Sequence, residues 1–325
     1  MNLTFKRPHP ETRDAMISAL KDKKLYPGTH PRLIDAQDKI KVFTGHKYAR
    51  VVNSGNSAIM VAMNSLEDPF LIPDQGAWSG FLKLAGFLKK DVIELKTHKG
   101  YLSVDLMEES LSKINAKPGA LFITSFAAYT AEQPLKELFD FCQSNEIKLV
   151  EDASGGIGDP EARLGNGENA HVILASTGSP KMVNVGSGGF ISTSKQDILD
   201  KSSILLRTLR GSPVTGAGIA REIDFSSENL KEASSAVDYL KKRIGNVLHP
   251  DKRGVNVIIP CQNPPETARA LRKFLNAEGK SIITTCPLYD RVLDKAICVE
   301  IKNLALESLN EDNLQEMVEI LLEMI

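Results

Sequence analysis

Cysteine is scarce in these 325 residues: Cys142, Cys261, Cys286 and Cys298 are scattered, with no CxxC pair. That spacing fits neither a zinc ribbon nor a disulfide framework, so the thiols read as reduced, as in a cytoplasmic protein. The six histidines lie far apart and form no HExxH arrangement, so no metal is expected. No apolar run approaches the ~18 residues needed to span a bilayer. The opening "MNLTFKRPHPETRDAM" lacks the hydrophobic stretch of an export signal. The expectation is a cytoplasmic protein without membrane contact. Charge of one sign is also missing: 40 Lys and Arg face 41 Asp and Glu, a formal net charge of −1, with no long run of either. A nucleic-acid partner needs a basic face and is not expected. Tryptophan occurs once, as Trp78.

What is present is an ordinary globular balance, 42% hydrophobic and 25% charged residues. A chain of this length is expected to form a large domain plus a smaller one. Short apolar runs alternate with amphipathic ones. Strands are expected at "ARVVNS" (49–54), "FLIP" (70–73), "DVIEL" (91–95), "ALFITS" (120–125), "IKLVED" (147–152), "HVILAS" (171–176) and "GGFIST" (188–193). Helices are expected at 57–66, 78–90, 103–114 and 134–145, with little room for one between the last two strands. This alternation predicts an α/β fold whose mostly parallel sheet is covered by helices on both faces. A long helix over 226–244 leads out of this unit. A small α+β domain follows, with strands near 255–260, 281–285 and 297–301 and helices over 265–279 and 310–325, the last capped by Asn310. The expected boundaries are 1–245 and 246–325.

Three segments carry candidate chemistry, all at the carboxyl ends of strands, where open α/β sheets bind ligands. In "VVNSGNSAIM" an Asn-Ser-Gly-Asn-Ser turn opens a helix. Its free amides, the turn at Gly55 and the hydroxyl of Ser57 make either a phosphate seat or a plain N-cap. In "KLVEDASGGIG" the strand ends in Glu151-Asp152, and such a carboxylate can face a cationic ring nitrogen, bind a metal or cap a helix. In "ASTGSPKMVNVGSGG" Lys181 follows Ser176 by five residues amid small neighbours. An amine there is either a surface-loop lysine or a nucleophile for a carbonyl. A carboxylate, a lysine and a phosphate seat together are what pyridoxal phosphate needs.

In this order the segments resemble the DegT/StrS-type sugar aminotransferases, fold-type I pyridoxal-phosphate enzymes. The resemblance rests on Gly45-His46-Lys47-Tyr48-Ala49, Ser54-Gly55-Asn56-Ser57-Ala58, Glu151-Asp152-Ala153, Ser176 with Lys181, and Gly186-Ser187-Gly188-Gly189. The tail segments "ALRKFLNAEGKSIITTCPLY" and "LALESLNEDNLQEMVEIL" extend it from about residue 25 to the C-terminus. It implies that Lys181 is the Schiff-base lysine and proton carrier and that Asp152 pairs with the pyridine nitrogen. It further implies that Gly55, Asn56, Ser57 and Ser176 hold the phosphate. Trp78 lies near the place of the stacking aromatic, where a packing role is equally open. The resemblance also implies a homodimer with active sites at the subunit interface, an amino-acid donor and a carbonyl acceptor such as a keto-sugar.

The departures fall in the substrate segments. Gly155 stands where the family often has Gln or His near the cofactor's phenolic oxygen. "SFAAYTAEQPL" replaces a segment with a histidine and a second acidic residue. "REIDFSSEN" replaces one that reaches the neighbouring active site. These changes keep a second reading open: a lyase, desulfurase or dehydratase using the same cofactor, for which Cys286 is either a recruited thiol or, as general behaviour favours, a buried inert cysteine. A third reading, a non-enzymatic relic, has no chemical need of Asp152 and Lys181.

Overall fold

The computed structural model describes residues 1–23 and 30–325. Among these, seven strands form the main sheet: β1 (Tyr48–Val52), β2 (Phe70–Pro73), β3 (Val92–Leu95), β4 (Ala120–Thr124), β5 (Lys148–Asp152), β6 (Val172–Ser176) and β7 (Gly189–Thr193). Their spatial order is β1-β7-β6-β5-β4-β2-β3. The ladder from β6 to β3 is parallel, whereas β7 runs antiparallel to both its neighbours, β1 and β6. The reason is connectivity: a parallel neighbour needs a crossover, usually a helix, and the stretch after Ser176 forms none.

Successive strand residues point to opposite faces, and here both faces are apolar. Leu71, Leu121, Ile123, Leu149 and Ile173 pack against helices Pro31–Thr44 and Leu135–Ser144. Phe70, Ile72, Phe122, Val150 and Leu174 pack on the other side against helices Gly55–Ser65 and Gly80–Phe87. A third core belongs to the C-terminal part. There β8 (Val257–Pro260), β9 (Ile283–Cys286) and β10 (Ala296–Val299) form an antiparallel sheet in the order β8-β10-β9, covered by helices Pro264–Leu271 and Glu311–Met324. Asn310 caps the last helix, accepting from Asn313 N at 3.0 Å.

Helix Ser226–Ile244 is shared: Leu230 and Ala233 lie in the large core, and Ala236, Val237 and Leu240 in the C-terminal one. Leu3 also packs in the C-terminal core, and the N-terminal segment bridges Ala277 and Leu304. The first residues thus lie with the C-terminal unit rather than with the large one. The helix expected over 265–279 stops at Leu271. Residues Asn276–Ala277 and Lys280–Ser281 instead pair as a hairpin, turned by Glu278 and Gly279 at positive φ, and Ala277 also bridges Leu3.

Candidate active site

The site grows from the carboxyl edge of the main sheet. β1 ends at Val52, and helix Gly55–Ser65 begins three residues later with Ser54 as its cap, whose Oγ accepts from Ser57 N at 3.1 Å. That cap leaves the amides of Gly55 and Asn56 at the open, positive end of the helix. The turn presses against the end of β6: a Cβ at Gly55 would sit 2.7 Å from Ser176 Cβ, so only glycine allows the approach.

Asp152 and Ser176 end adjacent parallel strands. Ser154 ties them together. Its amide donates to Asp152 Oδ1 at 3.0 Å, its hydroxyl donates to the same oxygen, and its Oγ accepts from Ser176 N at 2.8 Å. The carboxylate is thereby fixed at the strand end, and Ser176 is left with its own hydroxyl to offer.

The glycine-rich stretch around Lys181 is a closed loop rather than a loose one. Thr177 N donates to Gly188 O at 3.0 Å and Val185 N to Thr177 O at 2.9 Å, while Gly178 and Gly186 form a bridge. Gly186 at φ +81 and Gly188 at φ +90 occupy the region that other residues resist. Met182 and Val183 are fully buried just beyond the lysine and anchor it.

A cavity of about 180 Å³ lies among these groups. Gly55, Asn56, Trp78, Asp152, Ser176 and Lys181, all singled out from the sequence, line it together. Trp78 Nε1 donates to Asn56 Oδ1 at 2.9 Å, which holds the indole at the wall. Ser57 is not part of the lining. It is buried, and its hydroxyl donates to Asn53 Oδ1 and meets Ser54 Oγ, bracing the turn from behind. Ser54, Ile59, Tyr129 and Ser154 complete the wall. Of these, Tyr129 was invisible to sequence reasoning as a site residue, yet its hydroxyl accepts from Lys181 Nζ at 2.9 Å. Burial disfavours the lysine's charge, but Tyr129 and Asp152 outweigh it, and the amine is held above its ordinary range.

Cys286 lies in β9, where burial pushes its thiol up to about 11, a poor state for a nucleophile at neutral pH. Among the described residues no group of three or more His, Cys, Asp or Glu is placed to hold a metal, and no helix is long and apolar enough to cross a membrane. Larger hollows exist, one of about 720 Å³ beside Arg50 and Arg207, but none of the site residues expected from the sequence lines it.

The strand order, the lone antiparallel β7 and the C-terminal three-stranded unit are the fold of the type I pyridoxal-phosphate enzymes. Solved structures match it along nearly the whole chain. Helicobacter pylori PseC, an aminotransferase involved in the biosynthesis of pseudoaminic acid, superposes with a TM-score of 0.80 over 100% of this chain and 99% of its own, at 14% identity. A DegT DnrJ EryC1 StrS aminotransferase from Brucella abortus gives 0.74 over 95% and 94%, at 11% identity. Serine palmitoyltransferase from Sphingomonas wittichii gives 0.77 over 97% and 83%, at 15% identity. At such identities the likeness is one of fold. A protein-family model described as the MJ1341 family C-terminal domain matches residues 227–322.

Proposed function

We propose that this chain is a pyridoxal-phosphate-dependent aminotransferase that moves an amino group from an amino acid to a keto-sugar or other carbonyl acceptor. The observation that carries the reading is the convergence of Lys181, Asp152 and the start of helix Gly55–Ser65 on one small cavity. The residues fit the cofactor. The missing Cβ of Gly55 keeps the seat open beside Ser176, the helix start supplies unpaired amides for a phosphate, and a fixed carboxylate stands at a strand end.

When bound, the cofactor supplies the electron sink that lets a proton leave the carbon bearing the amino group. The protein does the rest. Lys181 Nζ would hold the cofactor through its aldehyde and, when freed again, would carry a proton to and from that carbon. Asp152, positioned by Ser154, would accept a hydrogen bond from the ring nitrogen and keep it protonated. The amides of Gly55 and Asn56 and the hydroxyls of Ser54 and Ser176 would hold the phosphate, with Ser57 supporting Ser54. Trp78 offers its indole as one wall for the flat ring. The reading includes a cytoplasmic location and a homodimer, the latter tested by size-exclusion chromatography with light scattering.

Protein purified and incubated with pyridoxal phosphate should acquire a visible absorption band. Glutamate or another amino donor should bleach it, with one equivalent of keto acid released. Lys181→Ala should bind no cofactor covalently. A protein that stays colourless with excess cofactor ends the proposal, and release of a keto acid without bleaching replaces transfer by elimination.

A further inference from the structure

Tyr129 occupies a position that its backbone resists. It sits at φ +61, next to Ala128 at φ +51, in the loop joining the short strands Phe126–Ala127 and Ala131–Glu132. A bulky side chain there is strained and persists only where its surroundings impose it. They do so from both units. Its carbonyl accepts from Val255 N at 2.8 Å and Asn256 N at 2.9 Å, and Ala128 N donates to Gly76 O at 2.7 Å. The ring lies against Gly155, where a Cβ would come within 2.9 Å of Tyr129 Cε1. The absence of a side chain at 155 and the presence of a tyrosine at 129 are therefore one arrangement.

Cations surround the ring. Lys302 Nζ lies 4.7 Å, Arg291 Cζ 5.2 Å and Lys181 Nζ 5.3 Å from its centroid. Arg291 and Lys302 are occupied by Glu300, which also accepts from Asn256 Nδ2 at 2.8 Å and Thr284 Oγ1 at 3.1 Å. Lys181 is the one of the three whose hydrogen bond goes to the phenol.

We infer that Tyr129 is a second catalytic residue of this site: its phenol oxygen fixes the Lys181 amine and controls when that amine gives up its proton. The inference rests on the cavity being the cofactor site, but the contact itself stands without any cofactor. The groups facing Lys181 are Tyr129, Asp152 and Arg291. Asp152 favours its charge and Arg291 opposes it, so removing the phenol oxygen shifts the balance toward the neutral amine. Nothing is oxidised or reduced; the amine's proton is exchanged with bulk solvent.

The test uses the cofactor-free protein. Lys181 is acylated with acetic anhydride across a pH series, and its modification is read by peptide mass spectrometry. In Tyr129→Phe the midpoint should move down by about half a pH unit or more. Gly155→Gln, which pushes the ring away without replacing Tyr129, should move it in the same direction, and it keeps the test alive if Tyr129→Phe folds poorly. An unchanged midpoint in a folded variant overturns the inference. In cofactor-loaded protein, Tyr129→Phe should also shift the pH dependence of the visible band. If the wild type never binds cofactor, the function proposed above fails, while the acylation profile still decides the contact.

Discussion

Glu151 and Asp152 adjoin in sequence and face opposite sides of the sheet. Asp152 opens on the cavity, whereas Glu151 is fully buried, accepting from Ser125 Oγ at 2.6 Å and Gly165 N at 2.9 Å. Burial is the larger influence, and with Asp152 and Asp159 nearby it pushes the Glu151 carboxyl up from 4.5 to about 7. A folded pKa raised above the unfolded one means that stability is fully present below about pH 4.5 and is lost as pH rises through about 7. The loss is about 3 kcal/mol at one pKa unit per 1.36 kcal/mol. Glu151→Gln should flatten this window in urea titrations at pH 5 and pH 8. An equal loss in wild type and variant would show that Glu151 does not control it. The cavity residues were legible because each lies where a strand run gives way to small residues: Asn53-Ser54 after "RVV", Asp152 after "LVE", Ser176 after "VILA". Ser154 carries no such signal, since a serine after a strand reads as turn composition until its bonds to Asp152 and Ser176 are seen.

At the scale of elements, the turn that presents Tyr129 shows why part of the site could not be read. Turns with positive φ announce themselves through Gly, Asn or Asp. "FAAYTAE" has none, because its geometry is imposed by bonds from Gly76, Val255 and Asn256, distant in the chain. Lys241, on helix Ser226–Ile244, adds another clamp on this turn. It is 2% exposed, and its Nζ donates to Thr130 O at 2.6 Å and to His249 O and Lys252 O at 2.8 Å each. Burial lowers its pKa to about 8. A lysine reads from sequence as a solvated helix face, yet here it satisfies three carbonyls. Lys241→Met keeps the stem and leaves those carbonyls without a donor, an expected cost of about 3 kcal/mol. Hydrogen exchange at the amides of 127–131 should quicken in the same variant. Unaltered exchange there would mean that the turn is held without Lys241.

For the molecule as a whole, the two units share so much structure that they should unfold together. Helix Ser226–Ile244 contributes to both cores, and Leu3, 4% exposed, brings the N-terminal segment into the C-terminal one. Arg253 adds a third tie, donating to Asp159 Oδ1 at 2.7 Å and Oδ2 at 3.0 Å beside Glu132. Trp78 makes the coupling measurable, since the chain's single tryptophan lies at the cavity in the large unit. Leu3→Ala removes buried volume far from that indole, at a cost of about 2–4 kcal/mol. If the units are one cooperative system, the urea midpoint reported by Trp78 fluorescence should fall as far as the midpoint from far-ultraviolet circular dichroism. Independent units would leave the Trp78 midpoint at its wild-type value while circular dichroism resolved an earlier partial transition. Coincident shifts are the expected result, because the shared helix cannot lose its C-terminal half without withdrawing Leu230 and Ala233 from the large core.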